Sequence, residues 1–107
     1  MIVKRLALAA SIALMGLTWM GSSAEAQGYE QAIVDACARY GCDANHLIAT
    51  MYCESGGDPG AVNPVTGDYG LMQINLNIWG PITDPYAQID FAAQKFAAGQ
   101  SYLWLCA

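Results

Sequence analysis

Glu54 and Asp68 are the two carboxylates whose surroundings in the chain best suit them to chemistry. Glu54 follows Leu47 and Met51 at helical spacing, which places it on or beside the buried stripe of a helix. Gly56-Gly57 then stops that helix, so Glu54 falls in its last turn, beside unpaired carbonyls and the negative end of the helix dipole. Partial burial and this position both disfavour a charged carboxylate, and a general acid has to keep its proton near neutral pH. The ordinary alternative is a solvated glutamate at a helix end. Asp68, in Thr66-Gly67-Asp68, is either a turn residue or a second carboxylate for the same site. His46, in the first turn of the same helix as Glu54, is expected to be exposed and carries no chemistry.

The cysteines form a second group. Cys37, Cys42, Cys53 and Cys106 have the spacings C-x4-C, C-x10-C and C-x52-C. With a single histidine in the chain, this does not repeat the short paired pattern of a zinc site, so no metal is expected. An even count in a small exported chain reads as a disulfide framework. Three pairings are open. The favoured one joins Cys37 to Cys42 across a short turn and Cys53 to Cys106, pinning the C-terminus to the core.

Export is read from the N-terminus. Lys4 and Arg5 precede an apolar run over residues 6–20, and Ala24-x-Ala26 offers a cleavage site before Gln27. The run is short of the ~20 residues needed to span a bilayer, which disfavours a membrane anchor. Residues 1–26 are therefore expected to be a secretory signal peptide and residues 27–107 one domain, secreted or periplasmic and associated with the cell wall. The processed chain keeps two bases, Arg39 and Lys95, against eight acids, a formal net charge of −6. No basic patch exists for nucleic acid or anionic lipid. No stable membrane span is expected after cleavage, and the expected state is a monomer.

These residues need elements to hold them. Tyr29, Ile33, Val34 and Cys37 predict a helix over 29–40, stopped by Gly41. Asp43 is a good N-cap for a helix over 44–55, with Leu47, Ile48 and Met51 as its stripe. Residues 58–69 are rich in turn signals and predict a compact loop with at most a small hairpin. A short helix is expected from Gly70 or Leu71 until Gly80-Pro81. Asp84-Pro85 should open the last helix, to about residue 98, with Tyr86, Ile89, Ala93 and Phe96 on one face. The result is a mostly α, small domain with a loop or minimal β-hairpin between helices, stapled by two disulfides.

The segments Cys53-Glu54-Ser55-Gly56-Gly57-Asp58-Pro59, Ala61-Val62-Asn63-Pro64 and Gly67-Asp68-Tyr69-Gly70-Leu71-Met72-Gln73-Ile74-Asn75 occur in that order. Together they resemble the lytic transglycosylase and goose-type lysozyme superfamily, where a helix-terminal Glu-Ser precedes a proline-containing loop and a Gly-Leu-Met-Gln-Ile run. The resemblance is dense over residues 54–75 and thin elsewhere. It implies a lysozyme-like fold without cofactor, acting on the glycan strands of peptidoglycan. It casts Glu54 as the acid that protonates the glycosidic oxygen between N-acetylmuramic acid and N-acetylglucosamine. It also implies that Ser55, Tyr69, Met72, Gln73 and Asn75 line the sugar cleft; core filling for Met72 and local capping for Ser55 are the plain alternatives.

Trp79, Trp104, Tyr52 and Tyr102 could stack on sugars or fill the core. Asp68 before Tyr69-Gly70 is also similar to the second carboxylate of animal-type lysozymes, which keeps hydrolysis open beside transglycosylation. A disulfide-rich module that binds cell-wall sugar without turnover is the third possibility, and an acid at an unfavourable helix end argues against it. Two departures from the family stand out. Gln88-Ile89 replaces the frequent Asn-Ile, and the Tyr-Asn segment of larger transglycosylases is lacking.

Overall fold

The computed structural model describes residues 23–107. The leader expected over residues 1–26 lies almost wholly outside them. Among the described residues four helices follow in order: α1 (Ala24–Tyr40), α2 (Ala44–Ser55), α3 (Leu76–Trp79) and α4 (Pro85–Ala97). A 3₁₀ turn over Ser101–Leu103 leads into the tail. The domain is mostly helical, as the periodicity predicts.

α1 buries Tyr29, Ile33, Ala36 and Cys37, the spacing of a single helical face. α4 answers with Ile89, Ala92 and Ala93. The small side chains on both faces let the two helices lie close, and theirs is the most extensive helix pairing in the fold. At its end Arg39 (3.2 Å), the Tyr40 hydroxyl (2.9 Å) and the Gln94 amide (2.8 Å) all donate to Asp90. α2 packs on both helices and contributes Leu47 and Met51 to a core completed by Leu71, Met72, Ile74 and Trp104.

The helix boundaries have local causes. Asp43 accepts from the Asn45 and His46 N–H groups and opens α2, and Asp84 accepts from the Ala87 N–H and opens α4. Gly56, at φ 66°, ends α2 in the left-handed conformation that costs a residue with a Cβ. α1 differs from expectation by starting at Ala24. Ser23 caps it, its Oγ accepting from the Ala26 N–H at 3.0 Å, and the preceding turn carries no apolar stripe to mark it. Val34 and Tyr86, expected on buried faces, are exposed.

The short helix is also displaced. Residues 70–73 form a turn rather than a helix, because Gly70 (φ 83°) and Gln73 (φ 50°) both have left-handed backbones. Antiparallel bridges pair Val62 with Tyr69 and Tyr69 with Ile74. Asn75 then caps α3, accepting from the Asn77 (3.0 Å) and Ile78 (3.3 Å) N–H groups. The bridges are the whole of the minimal β-hairpin anticipated between the helices.

Cys37–Cys42 and Cys53–Cys106 are the two disulfides, the pairing favoured from the sequence. The first closes the turn between α1 and α2. The second ties the end of α2 to the C-terminal tail.

Candidate functional site

α2 delivers Glu54 to its last turn, half-buried. Its Oε2 accepts a hydrogen bond from the backbone N–H of Cys106 at 3.1 Å. The partner is far away in the chain and is brought there by the disulfide from the neighbouring Cys53. Ser55 turns to its own helix: its Oγ donates to the Met51 carbonyl (3.1 Å) and accepts from the Gly57 N–H (3.1 Å). That is a C-terminal cap, and it fixes the backbone immediately after Glu54.

A cleft of about 270 Å³ borders the tail at Leu103 and Trp104. Asp68, Gln73, Ile74, Asn75, Ile78, Trp79, Phe91, Leu103 and Trp104 line it. Polar groups come from the loop and the α3 cap, and apolar groups from Ile74 of the loop, α3, α4 and the tail. Such a surface suits a sugar, which presents hydroxyl and amide edges beside apolar C–H faces. Trp79 and Phe91 stand 5.3 Å apart, Phe91 and Trp104 6.4 Å, each pair tilted or edge-on. The Lys95 ammonium lies 4.8 Å from the Trp79 ring centre, a cation–π contact that helps hold the indole.

Of the residues anticipated in the sugar site, Gln73, Asn75 and Asp68 line this cleft, while Glu54, Ser55, Tyr69 and Met72 do not. Met72 is fully buried in the core; its backbone carbonyl accepts from the Trp104 indole N–H at 2.7 Å. Tyr69 is the residue shared by the two β-bridges. Gln73 holds a left-handed backbone, rare for a residue with a side chain, and its amide donates to the Gly70 (3.0 Å) and Ala61 (3.1 Å) carbonyls. Of the aromatic candidates, Trp79 and Trp104 reach the cleft. Tyr52 bonds Glu30, and Tyr102 is exposed.

Gln88 is the residue that sequence reasoning passed over as an organiser of the site. It has no exposed surface. Its Oε1 accepts from the Met72 N–H (2.8 Å), and its Nε2 donates to the Tyr69 (2.9 Å) and Ile82 (2.8 Å) carbonyls. It thereby clamps the turn that carries Gln73. A Cβ on Gly70 would stand 2.6 Å from the Gln88 amide nitrogen, so the turn has room only for glycine. The available signal was a polar residue on the buried face of α4, directly before Ile89.

Among the described residues no three His, Cys, Asp or Glu side chains converge as a metal site requires, and no helix is long and apolar enough to cross a membrane. The model of the transglycosylase SLT domain matches residues 31–104. The chain belongs to the transglycosylase SLT domain family. The match runs from α1 through α2, the bridged loop and α4 to Trp104, and so takes in Glu54 and every residue of the cleft. No curated protein and no solved structure gave a match. SLT domains are peptidoglycan lytic transglycosylases, and membership makes this chain an enzyme of that glycan-cleaving class.

Proposed function

We propose that this SLT domain cuts the β-1,4 bond between N-acetylmuramic acid and N-acetylglucosamine by lytic transglycosylation, with Glu54 as acid and then base. One observation carries the choice of residue. Glu54 is a half-buried carboxyl in the last turn of α2, and its Oε2 is held by the Cys106 N–H at 3.1 Å. A positioned carboxyl of this kind is what proton transfer to a leaving oxygen requires. Glu54 protonates the glycosidic oxygen as the bond from C1 breaks. The muramyl 6-hydroxyl oxygen then closes onto C1, and its proton passes to the Glu54 carboxylate, which restores the acid. No water is consumed, and the product carries a 1,6-anhydro end.

Hydrolysis is the second reading, and the place of Asp68 on the cleft favours it. There a water attacks C1 with Asp68 in support, leaving a reducing end. In either case the Gln73 side-chain oxygen is left to accept, and the Asn75 amide N–H groups to donate, toward the acetamido and hydroxyl groups of the glycan. Export through a cleaved leader to the periplasm or cell wall, where this substrate lies, belongs to the same proposal.

Mass analysis of the muropeptides released from purified cell wall separates the two reactions. Anhydro products, one water lighter than their reducing counterparts, are expected. Reducing ends alone would replace transglycosylation by hydrolysis. The absence of any release, with retained binding to the wall, would leave a sugar-binding module.

A further inference from the structure

The tail after α4 makes three separate attachments to the site. Leu103 and Trp104 form part of the cleft wall. The Trp104 indole N–H is anchored on the Met72 carbonyl at 2.7 Å. Two residues on, the Cys106 N–H reaches Glu54 while its side chain is bonded to Cys53, the residue directly before Glu54. Glu54 is thus gripped twice by one loop of covalent structure, through its own backbone neighbour and through its carboxylate. Cys106 also lies beyond the residues matched to the SLT domain.

We propose that the Cys53–Cys106 disulfide is a positioning device for Glu54, keeping the Cys106 N–H on the carboxylate so that the enzyme reaches full turnover only in its oxidised form. The inference rests on Glu54 being the acid. A glutamate side chain on the last turn of a helix has several rotamers open to it, and a fixed donor selects one of them. Without the bridge, the segment that carries Cys106 loses its covalent cross-link to α2, and its N–H is no longer fixed against Glu54. Trp104 keeps its own anchor on Met72, so the cleft wall survives the loss. The expected signature is therefore a fall in turnover with little change in substrate affinity. A dithiol would act on the same bond: it donates two electrons and two protons, yielding the Cys53 and Cys106 thiols and a cyclic disulfide of the reagent.

Two measurements test this. In steady-state assays on peptidoglycan, Cys53→Ala/Cys106→Ala, with its helical circular dichroism retained, is expected to lose at least ~10-fold in kcat with KM within ~2-fold of the native protein. Cys37→Ala/Cys42→Ala, which breaks the other bridge, should keep both parameters. A folded Cys53→Ala/Cys106→Ala with native kcat, alongside an inactive Glu54→Gln, would overturn the positioning role and leave the acid in place. Active Glu54→Gln would remove the acid instead.

The second measurement compares the native protein before and after reduction by a dithiol, and decides the matter if the double variant does not fold. The Cys106 amide resonance is followed by NMR across the acidic range. In the oxidised protein it is expected to move with the ionisation of Glu54, and to lose that response on reduction and in Glu54→Gln. A Cys106 amide that behaves alike in native and Glu54→Gln protein, or alike before and after reduction, would overturn the proposal.

Discussion

Gln88 has a buried side chain whose three hydrogen bonds all go to backbone groups, at Met72, Tyr69 and Ile82. Replacing it with leucine would leave the Met72 N–H and the Ile82 carbonyl without this partner inside the fold. Unmade buried bonds of this kind cost ~1–3 kcal/mol each, and Gln88→Leu is expected to destabilise the domain by about 2–4 kcal/mol in urea denaturation. Gly70→Ala should cost at least about 2 kcal/mol, because a new Cβ at φ 83° would displace the same amide. A Gly70→Ala protein of native stability would mean that Gln88 can move without loss. The place of Glu54 in the last turn of α2 was legible in the sequence through helical spacing and the Gly56-Gly57 stop. Gln88 was not, since its partners lie in a turn whose conformation no local pattern announces. Met72 and Ser55 carry matching letters, but the structure puts one in the core and turns the other onto its helix.

The elements follow from local signals where those signals are strong. α2 runs from the Asp43 cap to the Gly56 stop, over the span its residues predict. α1 was foreshortened because its first turn is announced only by Ser23. The segment after Gly70 misled because its apolar residues, Leu71, Met72 and Ile74, are buried from a bridged turn, which has no helical period to show. The C-terminal end of α1 is joined to the middle of α4 at Asp90, and here a pH dependence follows. Burial alone would raise the Asp90 pKa, but hydrogen bonds from Tyr40, Gln94 and Arg39 outweigh it and hold the carboxyl below its usual range. A carboxyl depressed in the folded state adds stability that is complete above its unfolded value, ~3.9, and is lost as pH falls through the folded one. Asp90→Asn should therefore lower Tm at neutral pH, and the gap to the native protein should close in acid. The charged part is exposed and should weaken in salt. A gap that persists below the folded value would assign the loss to packing.

At the scale of the molecule, a domain this small has a modest core and depends on its cross-links. The two bridges are unequal. Cys53–Cys106 spans 53 residues of sequence and Cys37–Cys42 spans 5. Chain entropy assigns them ~4 and ~2 kcal/mol respectively. Chemical denaturation of the two double-alanine variants should rank them in that order, and equal losses would contradict the model. The pairing could be favoured from the sequence because a short turn and a long tether are distinguishable by position. The consequence for Glu54 was less visible, although Cys53 stands beside it: which backbone group the tail would present depends on how residues 101–106 turn. The cleft was half legible. Its polar side comes from the motif, while Ile78, Phe91 and Leu103 arrive from three elements and share no pattern in the chain.

The central claim is that Glu54 moves the proton that breaks the glycan strand. The most direct measurement is the rate at which anhydromuropeptides are released from purified peptidoglycan by the native protein and by Glu54→Gln, with the fold of the variant checked by circular dichroism. A folded variant slowed by at least ~10²-fold is expected. Release at the native rate would contradict the account.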